Sequence, residues 1–234
     1  MSENCAIVVA GGKGRRMGKA INKLFLELNN KPILAHTLEA FENNKNIDSI
    51  ILVAGKEELE YCKKEIVLPY SFKKVKKIVP GGEDRRDSVL NGLKAVTDCD
   101  IVIIHDGARP FIDARIIEDG INYAKIYGAS ACGVQPKDTI KIKSHSGFSK
   151  GTLNRSELFC VQTPQCFRLE LILKAHEDVA GKNISVTDDT SVAEMCGNKV
   201  FLYDGSYDNI KITTPDDLLL GEKILKHFSI DNID

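Results

Sequence analysis

The sequence lacks both an excess of charge of one sign and any long apolar run. Lysine and arginine number 32 against 33 aspartates and glutamates, so the 234-residue chain has a formal net charge of -1 at pH 7. This balance argues against a basic surface that would bind nucleic acid. No segment reaches the roughly 20 apolar residues that a membrane-spanning helix needs. We therefore expect neither nucleic acid nor a membrane among the partners of the chain.

The sequence also lacks the cysteine pairs of a metal or redox motif. Its seven cysteines are odd in number and form no C-x-x-C pair, which argues against a full disulfide framework and a thiolate zinc site. Cys5, Cys132 and Cys160 lie in apolar runs, where we expect each thiol to act as a small buried hydrophobe. Glu3 lies where a signal peptide would be basic, so we expect no signal peptide and a reducing, cytoplasmic location.

Hydrophobic residues make up 43% of the chain and charged residues 28%, a globular composition for which we expect one domain over residues 1–234. Short apolar runs rich in β-branched residues alternate with segments that carry apolar residues at helical spacing. This alternation predicts an α/β fold in which a mostly parallel sheet has helices on both faces. The predicted strands are Cys5–Ala10, Ser49–Ala54, Val75–Val79, Asp100–Ile104 and Ala129–Val134, and the predicted helices are Pro32–Asn43, Asp84–Val96 and Ala114–Tyr127.

The pattern changes after Lys137, where short alternating segments flank a polar stretch at Ser144–Gly151. They predict a hairpin that protrudes as a β-arm at about residues 136–156. Such an arm exposes Ile140 and Ile142 unless a partner covers them, so we expect a homodimer, with a flexible surface loop as the alternative. The rest of the chain predicts strands at Glu157–Val161, Lys199–Tyr203 and Asn209–Ile212, and helices near Arg168–Ala180, at Asp189–Cys196 and from Pro215.

A glycine-rich turn with two arginines follows the first predicted strand, running G-G-K-G-R-R-M-G from Gly11 to Gly18. In open α/β sheets, ligands bind at the carboxyl ends of the strands. Glycines let backbone N–H groups approach phosphates closely, and arginines add fixed positive charge. The turn therefore predicts a phosphate-binding loop. Lys23 follows it and can reach the same phosphates, although a solvated lysine at the edge of a helix is a nearly equal alternative.

Two well-known phosphate loops do not fit this turn. The dinucleotide fingerprint G-x-G-x-x-G needs glycine where Met17 stands, and the P-loop needs glycine at Lys13 and a hydroxyl residue at Ala20. A turn that carries its own arginines suits a ligand with dense phosphate charge better than a nicotinamide cofactor.

Two further polar clusters follow predicted strands. The stretch Gly81–Ser88 has backbone N–H groups and a hydroxyl that can bind a base edge, although a plain helix start is an equal alternative. Asp106 lies at the end of the fourth strand, where a carboxylate can hold substrate hydroxyls or help to place Mg²⁺. We expect the neighbouring His105 to be a packed histidine and not a general base.

Eight features in this order resemble the 2-C-methyl-D-erythritol 4-phosphate cytidylyltransferase family, and the similarity runs essentially from end to end. They are A-G-G-x-G-R-R-M-G from Ala10, Lys23, G-G-x-x-R-x-D-S-V at Gly81–Val89, H-D-G-A-R-P-F at His105–Phe111, K-D-T-I-K at Lys137–Lys141, T-P-Q-x-F at Thr163–Phe167, T-D-D at Thr187–Asp189 and N-I-K-I-T at Asn209–Thr213.

The resemblance implies a Rossmann-like fold of the nucleotide-diphospho-sugar transferase type and a CTP-dependent nucleotidyl transfer in the non-mevalonate pathway of isoprene biosynthesis. In that reaction the phosphate of methylerythritol phosphate attacks the α-phosphorus of CTP and pyrophosphate is released. Mg²⁺ is implied as the cofactor, bound mainly through the CTP phosphates. A phosphate monoester is already anionic near neutral pH, so the protein's task is to position two anions and to absorb charge in the transition state.

The resemblance also implies roles for individual residues. Those implied to be catalytic are Arg16, Lys23, Arg155 and Lys211, and those implied to bind CTP are Ala10, Gly11, Gly12, Gly14, Gly82, Glu83 and Ser88. Those implied to bind the methylerythritol phosphate are Asp106, Arg109, Thr139, Arg155, Thr163, Thr187 and Lys211, with Asp106 also a metal ligand, directly or through water. Thr139 and Arg155 would come from the partner's arm, so that a homodimer would share its active sites.

Three alternatives stay open from the sequence. A cytidylyltransferase of the same fold could use ribitol 5-phosphate or another polyol phosphate. A non-catalytic protein could use the same pocket to bind a nucleotide for regulation. A nicotinamide oxidoreductase is compatible with a Rossmann-like sheet but is disfavoured by Met17.

Overall fold

A computed structural model describes residues 3–11, 22–182, 184 and 186–230. The strands are β1 (Asn4–Val9), β2 (Glu27–Leu28), β3 (Lys31–Pro32), β4 (Ser49–Ala54), β5 (Val75–Pro80), β6 (Ile101–Asp106), β7 (Ala129–Val134), β8 (Lys141–Lys143), β9 (Ser149–Thr152), β10 (Cys160–Arg168) and β11 (Phe201–Asp204). The helices are α1 (Ile33–Glu42), α2 (Leu59–Tyr61), α3 (Arg85–Ala95), α4 (Ala114–Tyr127), α5 (Leu169–Val179), α6 (Asp189–Met195) and α7 (Pro215–Ile230).

Seven of these strands form one sheet in the order β11-β7-β10-β6-β1-β4-β5. Six strands run parallel, and β10 runs antiparallel between β6 and β7. The sheet is therefore mostly parallel, as the alternation of apolar runs predicts. Because β1, β4, β5 and β6 are neighbours that run in the same direction, their carboxyl ends meet at one edge.

Two apolar clusters cover the two faces of the sheet, and β1 shows how the sequence divides between them. Ala6 and Val8 pack with α1 and α4 on one face, whereas Cys5, Ile7 and Val9 pack with α3 and α5 on the other. All five side chains are buried, and alternate strand residues point to opposite faces. Helices therefore cover both faces of the sheet, and the prediction is confirmed. A strand that is buried on both sides has a continuous apolar sequence, which is why the pattern indicates this arrangement.

The predicted hairpin after Lys137 is also confirmed. Strands β8 and β9 pair antiparallel with Lys141 opposite Thr152, and they form a two-stranded sheet of their own. Phe148 is 76% exposed at the tip and Ile142 is 46% exposed. The hairpin, its flanking residues and the 3₁₀ turn Arg155–Glu157 are called the arm below.

Three sequence-based predictions were wrong in this part of the chain. The strand predicted at Glu157–Val161 lies instead at Cys160–Arg168, after the 3₁₀ turn. The strand predicted at Asn209–Ile212 is an irregular loop, because Asn209 bonds through its side chain to β10 and makes no strand ladder. Cys160 is exposed at the start of β10 and not buried.

No helix in the described ranges combines the length and apolarity of a membrane span.

Candidate active site

A cavity of about 720 Å³ opens at the carboxyl edge of β1, β4 and β5. The glycines that follow these three strands, Gly11, Gly55 and Gly81, line it together with the start of α3. Four residues that the sequence analysis assigns to CTP binding lie in this lining: Gly11, Gly82, Glu83 and Ser88. Glycines at three strand ends leave room for a ligand to approach the backbone.

The start of α3 is held by hydrogen bonds within the turn. Asp84 is the N-cap and accepts from Asp87 N at 2.8 Å. The buried Ser88 Oγ donates to the Asp84 carbonyl at 2.7 Å and accepts from Gly82 N at 3.0 Å. Because the hydroxyl proton of Ser88 is already used, this side chain can serve a ligand only as an acceptor, for example of an amino group.

Asp106 is the centre of charge at the same edge. Its Oδ2 accepts from Lys211 Nζ at 2.6 Å, and its Oδ1 accepts from Arg85 Nε at 3.2 Å. Arg109 Nε lies 3.9 Å from Oδ2. Burial by itself would raise the pKa of Asp106, but Arg85 and Lys211 hold this pKa well below its usual range. The carboxylate is therefore ionised at neutral pH.

Behind Asp106 lies a second buried carboxylate, that of Asp189 at the start of α6. Arg85 Nη2 is 2.8 Å from Asp189 Oδ2, so one guanidinium spans Asp106 and Asp189. His176 Nε2 lies 3.2 Å from Asp189 Oδ1, and both of these residues are buried. Burial raises the pKa of Asp189, but Arg85 and His176 lower it overall. Arg85 and Asp189 lie inside the motifs G-G-x-x-R-x-D-S-V and T-D-D, but no role was predicted for either, and no sequence pattern points to His176.

Backbone and side-chain bonds from β10 hold the loop that carries Lys211. The buried Asn209 donates from Nδ2 to the Thr163 carbonyl at 2.9 Å and to Gln162 Oε1 at 3.2 Å. Its own carbonyl accepts from Arg109 Nη1 at 2.6 Å. Thr163 Oγ1 in turn accepts from Asp106 N at 3.1 Å. Thr163, Arg109 and Lys211 are therefore brought together around Asp106, as the assignment of these four residues to one substrate requires.

Lys23 lies next to this loop. Its Nζ donates to the Ile212 carbonyl at 2.8 Å, so Lys23 contacts the loop that carries Lys211 from a distant part of the chain. Ala10 directly precedes Gly11, which lines the cavity, and the Ala10 N donates to the Val53 carbonyl at 2.7 Å. Gly12, Gly14 and Arg16, which complete the predicted phosphate loop, lie outside the described residues.

Three further predicted residues are exposed on the surface of the chain. Thr139 and Arg155 belong to the arm, where Arg155 Nη1 donates to the Lys137 carbonyl at 2.7 Å. Thr187 is exposed in the turn before α6.

His105 is fully buried, and its Nε2 donates to the Arg109 carbonyl at 3.0 Å. Burial lowers the pKa of His105 to about 4, so the ring is neutral at pH 7. The ring also packs edge-on against Phe41, with 5.0 Å between the ring centroids. The prediction of a packed histidine is confirmed.

The described residues do not form a ready metal cage. Within those ranges no three His, Cys, Asp or Glu side chains are grouped to hold an ion. Asp106, the predicted metal ligand, has both oxygens engaged by cations, which is unfavourable for direct binding of Mg²⁺ because the cations already neutralise the carboxylate.

Comparison with known proteins decides the family. The sequence model of 2-C-methyl-D-erythritol 4-phosphate cytidylyltransferase matches residues 4–227. A curated protein of that name from Clostridium acetobutylicum is 59% identical over 227 residues, which cover 97% of this chain and 99% of the relative. The chain belongs to the 2-C-methyl-D-erythritol 4-phosphate cytidylyltransferase family. It is therefore an enzyme of the transferase class, with the cytidylyltransferase fold that its motifs indicate.

Further relatives of the family agree in sequence and in structure. A cytidylyltransferase of the same name from Clostridium novyi is 60% identical, over 97% of this chain and 98% of the relative. The crystal structure of 4-diphosphocytidyl-2C-methyl-D-erythritol synthase from Anaerococcus prevotii superposes with a TM-score of 0.85 at 31% identity, covering 96% of each chain. Membership of this cytidylyltransferase family supports the first interpretation of the sequence over the ribitol phosphate, regulatory and nicotinamide alternatives.

Proposed function

We propose that this chain converts CTP and 2-C-methyl-D-erythritol 4-phosphate into 4-diphosphocytidyl-2-C-methyl-D-erythritol and pyrophosphate. The observation that carries the proposal is the grouping of Asp106 with Lys211, Arg85 and Arg109 beside a glycine-lined cavity. An oxygen of the acceptor phosphate attacks the α-phosphorus of CTP, and the bond from that phosphorus to the bridging oxygen of the β-phosphate breaks.

No protein group has to remove a proton in this step, because a phosphate monoester is anionic near neutral pH. The state of His105 supports this view, since a buried, neutral ring bonded to the Arg109 carbonyl is not placed to act as a base. Catalysis then depends on holding two anions in line and on stabilising the charge that develops between them.

The charges around Asp106 suit an anionic acceptor. Arg85, Arg109 and Lys211 contribute three positive charges, which exceed the two negative charges of Asp106 and Asp189. In our proposal Lys211 and Arg109 bind the acceptor phosphate, and Lys23 stabilises the triphosphate. Arg16 and Arg155 complete the catalytic set on the basis of the sequence resemblance.

Asp106 can bind the hydroxyl groups of the acceptor while it remains bonded to its cations. Each carboxylate oxygen has two lone pairs, and the bonds of Oδ1 with Arg85 and of Oδ2 with Lys211 leave capacity on both. We assign Thr163 and Thr187 to the same acceptor, Thr163 because its Oγ1 supports the Asp106 backbone. This assignment predicts that a hydroxyl-rich acceptor is preferred over a simple alkyl phosphate.

The cavity at the start of α3 is the proposed CTP site. Ser88 Oγ can accept from the exocyclic amino group of cytosine because its proton is held by Asp84. Gly82, Glu83 and Gly11 line the same cavity, and Ala10 directly precedes Gly11 at the end of β1. Gly12 and Gly14 join them as phosphate-binding backbone by resemblance.

We propose Mg²⁺ as a companion of the CTP phosphates, where it would neutralise phosphate charge. The two cation-bonded oxygens of Asp106 support a metal held by phosphate and water more than one held by the protein. No step assigned to a residue of this chain depends on the ion. We also propose a cytoplasmic location, supported by seven cysteines that are all free thiols.

We further propose that the chain is one catalytic domain whose arm, at about residues 136–156, pairs with a second copy. Phe148 and Ile142 on the arm are exposed apolar side chains that a partner would cover. Thr139 and Arg155 would then reach the acceptor site of the partner. A mass equal to one chain by light scattering at micromolar concentration would contradict the dimer.

Pyrophosphate release tests the reaction. The purified chain is mixed with CTP and Mg²⁺ and given methylerythritol 4-phosphate, ribitol 5-phosphate or no acceptor. Release with methylerythritol 4-phosphate alone is the expected result. Release with ribitol 5-phosphate alone would move the protein to another acceptor, and CTP binding without release in any mixture would favour a regulatory nucleotide-binding protein.

A further inference from the structure

The side chain of Asn22 joins three parts of the candidate site through one amide group. Its Oδ1 accepts from Leu24 N at 3.1 Å. Its Nδ2 donates to Glu58 Oε2 at 3.0 Å and, over a longer 3.4 Å, to the Ala10 carbonyl. Asn22 is buried, with only 9% of its surface exposed. The amide therefore links the end of β1, the connection after β4 and the 3₁₀ turn Lys23–Phe25.

The backbone of Asn22 needs no asparagine. Its φ of -56° and ψ of 127° lie in a region that most residues adopt easily. The special feature of the residue is thus the side-chain amide, which offers an acceptor and two donors in one plane. An amide that is buried and bonded on both sides is a strong positional constraint, because its loss leaves unsatisfied buried groups.

The 3₁₀ turn that Asn22 caps carries Lys23. Leu24 in the same turn is buried, which fixes the turn against the core. The Lys23 Nζ then donates to the carbonyl of Ile212 at 2.8 Å, and Ile212 directly follows Lys211 in the sequence. The direction of Lys23 is therefore set at its backbone by Asn22 and at its tip by the loop of Lys211.

Glu58 orients the amide of Asn22 from the cavity side. Its Oε2 also accepts from Gly55 N at 3.3 Å, so the carboxylate folds back over the start of its own turn. A Cβ at Gly55 would lie 2.6 Å from that oxygen, so glycine leaves the space that this position of Glu58 needs. With a carboxylate on one side, the NH₂ and not the C=O of Asn22 faces Glu58, and the C=O is left for Leu24 N.

We propose that Asn22 is a positioning residue for Lys23, and that Glu58 sets the orientation of the Asn22 amide. This inference rests on the proposed role of Lys23 at the triphosphate. Asn22 does not touch the reacting groups in this scheme. It fixes the turn from which Lys23 reaches them, and small misplacements of a charged group cost much of its catalytic effect.

A double-mutant cycle tests the link between Asn22 and Lys23. We expect Asn22→Ala to lower kcat about 10- to 100-fold, with the KM for either substrate changed less than about threefold if only alignment is lost. In a Lys23→Ala background, Asn22→Ala should cause no further loss of kcat, because the residue it positions is gone. A further tenfold loss in that background would overturn the proposal.

A polarity swap tests the link between Asn22 and Glu58. Asn22→Asp places a carboxylate against Glu58 and the Ala10 carbonyl, so kcat should fall at least as far as in Asn22→Ala. Adding Glu58→Gln restores an N–H···O bond between positions 22 and 58 in the opposite direction, so part of the lost kcat should return, while Gly55 N and the Ala10 carbonyl stay without these side-chain partners. A double variant that stays as slow as Asn22→Asp would contradict the role of Glu58.

Asn44→Ala is the matched control for a purely structural effect. Asn44 is also buried and caps a turn, accepting from Asn46 N at 2.9 Å, but it lies before β4 at the opposite edge of the sheet. We expect it to lower Tm while kcat stays unchanged. If Asn22→Ala behaves in the same way while Lys23→Ala is slowed more than about 100-fold, positioning is refuted and the role of Lys23 stands. If Lys23→Ala keeps its kcat, the proposed role of Lys23 fails and the positioning falls with it.

Discussion

Lys211 Nζ lies 2.6 Å from Asp106 Oδ2, although 105 positions separate the two residues in the sequence. Arg85 contacts the other oxygen of the same carboxylate at 3.2 Å. Asp106 is thus held from both sides by cations that come from α3 and from the loop after β11. The proposed acceptor site is assembled by these pairings, because neither cation adjoins Asp106 in sequence.

Removing a cation that faces the phosphates should slow the reaction strongly. We expect Lys23→Ala and Lys211→Ala each to lower kcat/KM by more than about 100-fold, the range seen when a group that stabilises developing charge is lost. The same loss is expected for Arg16→Ala. Steady-state pyrophosphate release measures the effect. Lys45→Ala, which removes a side chain that is 82% exposed, is the control and should match the parent. A tested variant within a few-fold of the parent would remove that residue from the catalytic set.

Asp106→Asn should weaken acceptor binding and alter stability in acid. The amide keeps the shape of the side chain but leaves Lys211 without its carboxylate and Arg85 with that of Asp189 alone, so we expect kcat/KM for the acceptor to fall about 100-fold. The folded pKa of Asp106 is depressed, so its stabilising contribution is present above the unfolded pKa near about 4 and is lost as the pH falls below it. Denaturant titrations from pH 7 to pH 3 should therefore show a smaller loss of unfolding free energy in the variant. An equal loss in both proteins would contradict the depressed pKa.

His105 predicts a separate pH dependence of stability. Its folded pKa is lowered to about 4 by burial, whereas the unfolded pKa is about 6.5. Between these values the unfolded state binds more protons, so His105 makes stability rise with pH, by on the order of 3 kcal/mol across the window. Its contribution is complete above about pH 6.5 and is lost as the pH falls towards 4.

The measurement is the slope of unfolding free energy against pH, compared between the parent and His105→Gln. The variant should have the flatter slope between pH 4 and 6.5, whatever its absolute stability. Parallel slopes would show that His105 titrates alike in both states. Plots of kcat against pH should have the same inflections in the parent and in His105→Gln, since the ring transfers no proton in the proposed reaction.

Mixed dimers test whether the arm serves the partner's site. Arg155→Ala and Asp106→Asn should each be nearly inactive alone. If the arm acts across the dimer, a mixed dimer holds one site with neither defect, and random mixing restores about a quarter of the parent activity. No recovery after the subunits have exchanged, shown by a mass-tagged copy, would mean that Arg155 acts within its own chain.

A charged substitution at an exposed apolar residue of the arm gives a second test of the proposed dimer. Phe148→Asp should shift the light-scattering mass towards one chain at low micromolar concentration, because it places a charge where an apolar contact is expected. Leu68→Asp is the control, since Leu68 is also exposed, at 63%, but lies outside the arm. Equal masses for the two variants would argue against a dimer built on Phe148.

The sequence predicts best those elements whose burial is uniform along their length. Ser49–Ala54, Ala129–Val134 and Ala114–Tyr127 were predicted with the bounds that the structure has. The two strands are almost wholly buried, and the helix buries one regular stripe. A simple periodicity therefore encodes them.

Strand β10 was misplaced because its sequence breaks the rules for a central strand. Proline is rare inside a sheet since it cannot donate to the ladder. Here the register shifts between Val161 and Gln165, which takes Thr163 and Pro164 out of regular pairing. The strand predicted at Asn209–Ile212 was wrong for a related reason, because buried side-chain hydrogen bonds of Asn209 take the place of a strand ladder. Neither compensation can be seen in a hydropathy pattern.

The candidate site divides in the same way. Asp106 and Ser88 could be predicted because the carboxyl ends of parallel strands are where ligands bind. The pairs of Arg85 with Asp189 and of Asn22 with Glu58 could not, since each joins residues far apart in sequence. Local propensity carries no information on which distant side chains meet.

The place of β10 between β6 and β7 has a consequence for the growing chain. Strands β5, β4, β1 and β6 are complete once residue 106 has been made, and they can pair with one another. Among the described residues, strand β7 pairs with β10 and β11 alone, so it has no partner in this sheet until residues 160–168 have left the ribosome. Until then the open edges of β6 and β7 can capture other nascent strands. During the interval between the synthesis of β7 and of β10, the sheet therefore stays divided into two parts that lack the strand joining them.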